Sequence, residues 1–371
     1  MDINLTDILM DDYSNSTGSE GVVHGKEAFV TIFCVFCFFG IIGNGSLMFL
    51  VIRFPHLRTM PNILMINLTF GDLLYIVASL PDIVRFELGL PQTYESLAMC
   101  KFIKFLPGFA MGVCVYSMMA LSVERYCAIV RGLEMRSVRT SRRVMGAMIF
   151  IWGMTFLVTS PVLLSSGYLF PSAPWICSDM LPGSPGAIAY AAIHITFLYI
   201  MPLLTMTFCY SSISYQLIQG ARESTSNNSR SNTNYEARKR LAIAIIVMAA
   251  FFAIFWLPAS VFSLYFHANY DHIFNMSNDS EIAVFHFFRR FSRVFAFTNS
   301  CFNPWILYFI STTHRRAIAR CICFCCGPKN GDENGSYRMV RLRTNGRTVT
   351  TYHSYSSESG RGNRIVKPED I

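Results

Sequence analysis

Charged side chains that could do chemistry lie inside, or at the end of, long apolar runs of this sequence. Asp72 is the one charged residue between positions 60 and 81. Because a carboxylate near the middle of a bilayer costs about 2.5–3.5 kcal/mol, it usually faces other helices and has a partner. We therefore expect Asp72 to be both a hydrogen-bonding centre and a site for a cation.

Glu124 and Arg125 end another apolar run, which begins at Cys100. As a helix this run would be about 37 Å long, whereas the hydrocarbon core of a bilayer is about 30 Å thick. One helix could therefore hold Cys100 on one side of a membrane and the charged pair on the other. A long buried helix of a water-soluble protein is the alternative.

Seven such stretches predict an all-α, seven-transmembrane helix bundle. Of the 371 residues, 52% are hydrophobic and 15% are charged, and uncharged stretches near 20 residues are typical of transmembrane helices. A bundle follows because lipid cannot hydrogen-bond exposed backbone. The predicted spans are residues 28–53, 62–85, 100–130, 144–166, 187–218, 239–268 and 288–310.

Basic residues gather in alternate connections and so predict the orientation. They follow the first, third, fifth and seventh spans: Arg53, Arg58, Arg131, Arg136, Arg139, Arg142, Arg143, Arg222, Arg230, Arg238, Lys239, Arg240, Arg315, Arg316 and Arg320. The positive-inside rule places these connections in the cytoplasm and the N-terminus outside. The net charge of +8 therefore reflects membrane topology rather than nucleic-acid binding, and we predict a multi-pass plasma-membrane protein.

The outer side offers a disulfide and glycans. Among the twelve cysteines, Cys100 and Cys177 are the two predicted to be extracellular, and an oxidising compartment favours a bridge between them. Glycosylation sequons on this side begin at Asn4, Asn15, Asn275 and Asn278. Residues 1–27 are predicted to be a glycosylated extracellular segment that precedes the membrane domain, residues 28–325.

The cytoplasmic side carries four clustered cysteines: Cys321, Cys323, Cys325 and Cys326. Their spacing is poor for zinc, so reversible palmitoylation beside the membrane is the preferred interpretation. Residues 219–236 are rich in Ser and Asn and predict a flexible loop. The tail, residues 326–371, is predicted to be disordered and open to phosphorylation.

Residues on all seven spans resemble the motifs of rhodopsin-like G-protein-coupled receptors, over roughly residues 28–325. They are Gly43, Asn44, Leu68, Asp72, Cys100, Glu124, Arg125, Tyr126, Trp152, Cys177, Pro202, Tyr210, Trp256, Leu257, Pro258, Asn303, Pro304, Trp305, Ile306, Leu307 and Tyr308. The resemblance implies a receptor that activates a heterotrimeric G protein. It also implies a short amphipathic helix on the membrane surface after the seventh span, a tail that binds receptor kinases and arrestin, and contacts with membrane lipids.

The resemblance gives these residues roles. The G-protein switch would consist of Glu124, Arg125, Tyr126, Tyr210 and Tyr308. An activation relay would consist of Pro202, Phe252, Trp256, Pro258, Asn303 and Pro304. An allosteric sodium ion, the one metal or cofactor expected, would bind at Asp72, Asn299, Ser300 and Asn303, where Cys114 replaces the hydroxyl that the family usually supplies.

The predicted outer face is basic and aromatic, which suits an extended ligand such as a peptide. The candidate ligand-binding residues are Arg293, Arg289, Arg290, Lys104, Trp175 and Tyr265. The alternative for Arg293 is a structural salt bridge to Glu87, Glu281 or another acidic residue of the chain. Residues 58–62 and 292–304 look similar to the bombesin-like receptor group, which includes gastrin-releasing peptide and CCHamide receptors, and this similarity implies a neuropeptide ligand and the Gq, phospholipase C and calcium route.

Two other functions remain open from the sequence. One is a rhodopsin-like receptor for a non-peptide ligand such as a lipid. The other is a transporter or channel with Asp72 in its path, although the sequence shows neither further ionisable residues at depth nor a repeat between halves. An enzyme is not expected, because the sequence shows no nucleophile beside a base and no phosphate-binding loop.

Overall fold

The computed structural model describes residues 20–54, 59–87, 96–130, 141–170, 173–178, 184–223, 229–310, 315, 337–344 and 347–354. The chain forms two units, residues 1–317 and 318–371. The first unit holds the predicted membrane domain. In the second, the structure describes two short strands.

Ten helices are described in the first unit, and they give the predicted spans. They are α1 (Glu20–Arg53), α2 (Met60–Glu87), α3 (Leu97–Ile129), α4 (Ser141–Thr159), α5 (Pro161–Ser165), α6 (Pro185–Ile195), α7 (Met201–Glu223), α8 (Ser229–Ala268), α9 (Tyr270–Phe274) and α10 (Asp279–Ile310). We call α1, α2 and α3 the first three spans, α4 with α5 the fourth, α6 with α7 the fifth, α8 the sixth and α10 the seventh.

Six of these spans are long and apolar enough to cross a membrane, by length and composition. They are Phe29–Arg53, Met60–Arg85, Leu97–Ile129, Val144–Ser165, Pro185–Gln216 and Ile243–Ala268. The seventh span is less apolar because it carries three arginines at its outer end and a group of buried polar residues further in. Both features belong to the candidate sites described below.

The third span forms the centre of the bundle. Every residue from Ala110 to Met118 is buried, as expected for a helix that is surrounded by other helices. Its first turn is capped by Ser96, whose hydroxyl accepts a hydrogen bond from the Met99 amide at 3.2 Å. The span therefore presents side chains to several neighbours at once.

Glycine allows close approaches between spans, among them one between the second and third spans and one between the first and seventh. A Cβ atom at Gly71 would lie 2.7 Å from the Cys114 sulfur, and one at Gly43 would lie 2.7 Å from Cγ of Pro304. Small residues are used in this way where membrane helices pack closely. Gly71 precedes Asp72, so this contact sets the distance between that carboxylate and the third span.

A polar clamp fixes the second, third and fourth spans. The Asn67 amide donates to Ser117 Oγ at 2.7 Å and accepts from Trp152 Nε1 at 3.0 Å. Hydrogen bonds between spanning helices are worth about 0.6–2 kcal/mol each. The clamp therefore holds the second span, which carries Asp72, in a fixed position.

Breaks in the fourth and fifth spans lie beside prolines. Pro161 separates α4 from α5. Before Pro202 the chain makes a π-helical turn, Thr196–Ile200, in which the Met201 amide donates to the Thr196 carbonyl five residues earlier. Such turns shift the faces of a helix and are common at functional sites.

Two antiparallel hairpins add strands to the predicted all-α fold. In the connection after the fourth span, β1 (Gly167–Phe170) pairs with β2 (Ala173–Ser178), with Tyr168 opposite Cys177. In the tail, β3 (Tyr337–Thr344) pairs with β4 (Arg347–Ser354). The two-residue link between β3 and β4 is Asn-Gly, a strong hairpin signal, and it lies within the tail, residues 326–371, for which the composition predicts disorder.

Three predicted boundaries also differ from the structure. The first helix begins at Glu20, inside the segment 1–27 that was expected to precede the membrane domain. The fifth span extends to Glu223 and the sixth begins at Ser229, so that both run into the predicted flexible loop. These two extensions contain good helix formers such as Arg222 and Glu236, which weigh against the Ser and Asn residues.

Candidate ligand, ion and switch sites

The predicted disulfide is confirmed. Cys100 and Cys177 are bonded, with Cα atoms 5.8 Å apart, and both side chains are buried. Since Cys100 lies in the first turn of the third span and Cys177 in β2, the bond holds the β1–β2 hairpin over the outer end of the bundle.

An acid–arginine cluster links the second and seventh spans at the same end. Arg290 Nε lies 2.8 Å from Glu87 Oε2, and Arg289 Nη2 lies 4.0 Å from Glu87 Oε1. The Glu87 side chain is fully buried, whereas 31% of the Arg290 side chain is exposed. The Arg290 guanidinium also lies over the Phe29 ring of the first span, 5.9 Å from its centre. Glu87, one of the acids considered for Arg293, is therefore a partner of Arg289 and Arg290.

The other candidate ligand residues are more spread out. Arg293 and Lys104 are half-buried in the seventh and third spans. Tyr265 lines a groove between the sixth and seventh spans. Trp175 lies in β2, but its side chain is outside the described part of the structure.

Asp72 is the polar centre of the bundle. It is fully buried, accepts a hydrogen bond from the Asn303 amide at 2.9 Å, and lies 3.3 Å from the Cys114 thiol. Ser300 of the seventh span lies close to the same carboxylate. Three spans thus meet at one acidic group.

The same centre contains buried polar atoms that have no hydrogen-bond partner among the described residues. They are both amide atoms of Asn299 and Oδ1 of Asn303. Oxygen atoms of this kind, around a carboxylate, are the donors that a hard cation prefers. The residues therefore fit a sodium ion, except that Cys114 offers sulfur, which is a poor ligand for such a cation.

Two of the predicted relay residues pack against aromatic side chains of neighbouring spans. The Trp256 ring packs edge-on against Tyr75 of the second span, with centroids 5.5 Å apart. One turn inward, Phe252 is fully buried and its ring centroid lies 5.6 Å from that of Tyr199 in the π-helical turn. The Tyr199 hydroxyl donates to the Ala253 carbonyl at 2.7 Å. The sixth span is thus joined to the π-helical turn of the fifth.

At the inner end, Glu124 and Arg125 form a buried ion pair. Arg125 Nε lies 3.0 Å from Glu124 Oε2, and 6–7% of each side chain is exposed. Removal of either partner would leave the other charge buried and unpaired, which is costly.

Tyr210 connects three spans just above this pair. Its hydroxyl donates to the Ile245 carbonyl of the sixth span at 3.2 Å and forms a short contact with Ser122 Oγ of the third. Tyr308 lies on the seventh span and packs against Trp305 and Phe309. Tyr126 packs against Phe208 of the fifth span.

The match to a known protein family decides what this arrangement is. A model of the family described as "7 transmembrane receptor (rhodopsin family)" matches residues 43–307. The chain belongs to this receptor family. As a member, the receptor is a multi-pass protein of the plasma membrane. The helix α10 is its seventh membrane span, although it carries arginines.

The receptor is also similar to individual proteins over most of its length. It is 28% identical to bombesin receptor subtype-3 of Ovis aries over 331 residues, which cover 86% of this chain and 81% of that protein. It is 27% identical to the tachykinin-like peptides receptor 86C of Drosophila melanogaster over 341 residues, 86% of this chain and 65% of that protein. It is 28% identical to galanin receptor type 1 of Homo sapiens over 299 residues, 79% of this chain and 81% of that protein.

Several predicted modification sites of the receptor lie outside the described residues. These are Asn4, Asn15, Cys321, Cys323, Cys325 and Cys326. The surface helix that was expected after the seventh span also lies outside the described residues, except for Arg315, which is helical. Asn275 and Asn278 have exposed side chains in the connection between α9 and α10.

Sequence reasoning missed Tyr199 and the partners of Glu87. The only signal for Tyr199 was an aromatic residue three positions before Pro202, which is too common to be specific. For Glu87 the sequence offered three arginines within five positions of the seventh span, and the helix faces alone do not decide which of them is the partner.

Proposed function

We propose that this receptor binds an extracellular peptide at the outer ends of its second, third and seventh spans and then activates a heterotrimeric G protein from its cytoplasmic end. The observation that carries the proposal is the arrangement of charges in the bundle. Its outer end holds a cluster of arginines around Glu87, and its inner end holds the buried ion pair of Glu124 and Arg125. The names of the three relatives, which refer to bombesin, tachykinin-like peptides and galanin, support a peptide ligand.

The charge of the outer cluster favours a ligand with an acidic or amide group. Glu87 is the carboxylate that pairs with Arg289 and Arg290, and Arg293 lies one turn further into the seventh span. The three arginines concentrate positive charge at this corner, which attracts carboxylate or carbonyl oxygen atoms of a ligand. Lys104 adds positive charge from the third span.

The centre of the bundle would transmit the signal. A bound sodium ion would be held by Asp72, Asn299, Ser300 and Asn303 and would supply the positive charge that balances the buried carboxylate. The hydrogen bond from Asn303 to Asp72 ties the seventh span to the second. A ligand that pulls the outer end of the seventh span moves Asn303, which follows Arg293 on the same helix.

The inner end would respond by opening. Tyr210 bonds the Ile245 carbonyl, so an outward movement of the sixth span breaks this bond and frees the tyrosine hydroxyl. The same movement admits a partner to the inner end, where Arg125 can exchange Glu124 for carbonyl groups of the G protein, because its guanidinium offers a fork of donors. Similarity to the bombesin-like group supports Gq, phospholipase C and calcium as the route, with kinases and arrestin acting on the tail.

Calcium release in cells that express the receptor tests this proposal. The cells are challenged with bombesin-like, CCHamide-like, galanin and tachykinin peptides, and cyclic AMP is measured in parallel to detect another coupling. We expect one peptide class to give a saturable calcium response. At matched surface expression, Arg125→Ala should abolish the response without abolishing peptide binding.

A second pair of variants tests the outer cluster. Arg293→Ala should reduce peptide potency at least tenfold, whereas Arg293→Lys, which keeps the charge but loses the fork, should have a smaller effect. Equal potency in the wild type and both variants would contradict the proposed contact. A peptide response that Arg125→Ala leaves intact would contradict the proposed switch.

A further inference from the structure

Tyr75 of the second span contacts both of the spans that move in the proposed function. Its ring packs edge-on against Trp256 of the sixth span, with centroids 5.5 Å apart, and lies 6.2 Å from the ring of Phe297 in the seventh. Tyr75 lies three residues outward of Asp72 on the same helix. It is outside the motifs that carry the family resemblance, so those motifs give it no role.

Two hydrophobic clusters of the described core meet at this ring. The larger cluster includes Trp256 and residues of the third, fifth and sixth spans. The other lies between the first, second and seventh spans and includes Phe297. Among the described residues that are partly buried, Tyr75 is the one that packs against both clusters. A movement of the Tyr75 ring therefore affects the packing of both.

The hydroxyl of Tyr75 has a polar environment, in contrast to its ring. The hydroxyl of Ser79, one turn further out on the same helix, lies close to it. The Arg293 guanidinium of the seventh span is near enough to interact with it electrostatically. A phenol oxygen can accept a hydrogen bond, and a guanidinium is a donor only. One side chain thus has a polar tip near Arg293 and an aromatic edge against Trp256.

The spacing of residues along the two helices supports this placement. Arg293 precedes Phe297 by four residues, and residues at this spacing lie on the same face of a helix. Ser79 follows Tyr75 at the same spacing. Because the second span runs outward and the seventh runs inward, the ring contact of Tyr75 with Phe297 places Arg293 one turn further out, at the level of Ser79. The position of Arg293 near the phenol hydroxyl therefore follows from the ring contact as well as from its charge.

We propose that Tyr75 is a positioning residue that couples Arg293 to Trp256. A ligand oxygen atom that binds Arg293 draws the guanidinium away from the Tyr75 hydroxyl. Because the phenol ring is rigid, its edge then shifts against the indole of Trp256. This indole lies two residues before Pro258, so the shift acts on the sixth span at its proline. The proposal rests on the proposed function, since it gives the ligand contact at Arg293 a route to the inner end.

The strength of the ring contact suits this role. An edge-on pair of aromatic rings changes an equilibrium by about two- to twelvefold. The contact between Tyr75 and Trp256 is therefore strong enough to shift the balance between the closed and open arrangements of the bundle. It is also weak enough for a bound ligand to overcome.

Fluorine NMR of the full-length receptor in lipid nanodiscs, without any peptide, tests the coupling. The receptor is expressed with fluorotryptophan at all four of its tryptophan positions. The signal of Trp256 is identified by its loss in Trp256→Phe. The signals of the other three tryptophans serve as internal references; they are Trp152, Trp175 and Trp305.

We expect Arg293→Ala to shift the Trp256 signal by way of the Tyr75 hydroxyl. Tyr75→Phe keeps the ring and removes the hydroxyl, so in this background Arg293→Ala should move the signal at most about one third as far as in the wild type. Tyr116→Phe is the matched control. It removes a hydroxyl of the third span that donates to the Phe197 carbonyl at 3.1 Å, and it should leave the effect of Arg293→Ala unchanged.

A milder variant covers the case in which Arg293→Ala does not fold. Arg293→Lys keeps the charge but changes the donor geometry, and should give a smaller shift of the Trp256 signal with the same dependence on the Tyr75 hydroxyl.

Three results of the fluorine measurement would overturn the proposal. An equal effect of Arg293→Ala in the wild type and in Tyr75→Phe would mean that the change reaches Trp256 by another route. A Trp256 signal that does not respond to Arg293→Ala in the wild type would mean that the two residues are not coupled. A Trp256 signal in Tyr75→Leu identical to that of the wild type would mean that the two rings are not in contact in the membrane.

The peptide that is active in cells gives a second readout, which separates positioning from binding. In the absence of G protein, Tyr75→Phe should leave the peptide affinity within about twofold of the wild type, whereas the maximal calcium response should fall at least about twofold. A parallel tenfold loss of affinity would make Tyr75 a ligand contact and would overturn the positioning role. Because the fluorine measurement uses no peptide, its failure is distinct from failure of the proposed peptide function.

Discussion

Replacing Cys114 with serine should strengthen sodium binding at Asp72. In the structure the Cys114 sulfur lies 3.3 Å from Asp72 Oδ1, at a position where an oxygen atom could join the shell around a cation. Serine supplies a hard oxygen and, because its side chain is shorter, leaves more room beside the carboxylate. The unpartnered atoms of Asn299 and Asn303 are unchanged by the substitution.

The expected magnitude follows from one added neutral ligand. A hydrogen bond to a charged group contributes about 1.5–3 kcal/mol, and we take the lower end because the new hydroxyl loses its bond to water. About 1.4 kcal/mol corresponds to a tenfold lower dissociation constant. The sodium concentration that gives half of the stabilisation should therefore fall about tenfold in Cys114→Ser.

Thermal unfolding of the purified receptor measures this effect without any agonist. An ion that binds the folded state raises the melting temperature with concentration, so the melting temperature is recorded over a sodium series at constant ionic strength, with choline as the replacement cation. Asp72→Asn is the control and should show no sodium dependence. Equal sodium midpoints for the wild type and Cys114→Ser would refute the role given to the thiol, and sodium dependence in Asp72→Asn would refute the site itself.

Three further predictions concern stability and basal signalling. Glu87→Ala removes the acid from a buried ion pair and should destabilise the receptor by about 2–4 kcal/mol. The loss is measured as a fall in melting temperature and in surface expression, and an unchanged melting temperature would show that Glu87 does not stabilise the receptor through its arginine partners. Gly71→Ala places a Cβ atom 2.7 Å from the Cys114 sulfur and should cost about 1–3 kcal/mol. Adding Cys114→Ala should recover part of this loss, because it removes the closest contact, and a double variant no more stable than Gly71→Ala would point to another cause. Glu124→Gln removes the negative charge that pairs with Arg125 and should raise calcium signalling in the absence of agonist, compared with the wild type at equal surface expression. Basal signalling at or below that of the wild type would mean that the ion pair does not restrain the receptor.

The bundle could be predicted from the sequence because its signals are local and strong. Long uncharged runs and alternating basic connections are sufficient for the spans and their orientation, and the disulfide follows because only two cysteines are left on the outer side. Asp72 was predictable as a polar centre, since a single carboxylate in an apolar run has few other roles.

The finer geometry was not predictable, because it depends on helix rotation and on contacts between distant residues. Arg289, Arg290 and Arg293 are equivalent in the sequence, and only the packing of the seventh span against the second selects the first two as partners of Glu87. The tail hairpin was missed for a different reason, since its Asn-Gly link lies in a polar segment whose composition suggested disorder.

Nucleotide exchange by purified proteins tests the central claim most directly. The receptor is placed in lipid nanodiscs with purified Gq or Gi heterotrimer, and uptake of a non-hydrolysable GTP analogue is followed with and without the peptide that is active in cells. We predict that the peptide accelerates uptake by Gq in the wild type and not in Arg125→Ala, although both bind the peptide. Peptide binding without faster exchange on either G protein would contradict the account, as would equal acceleration by Arg125→Ala.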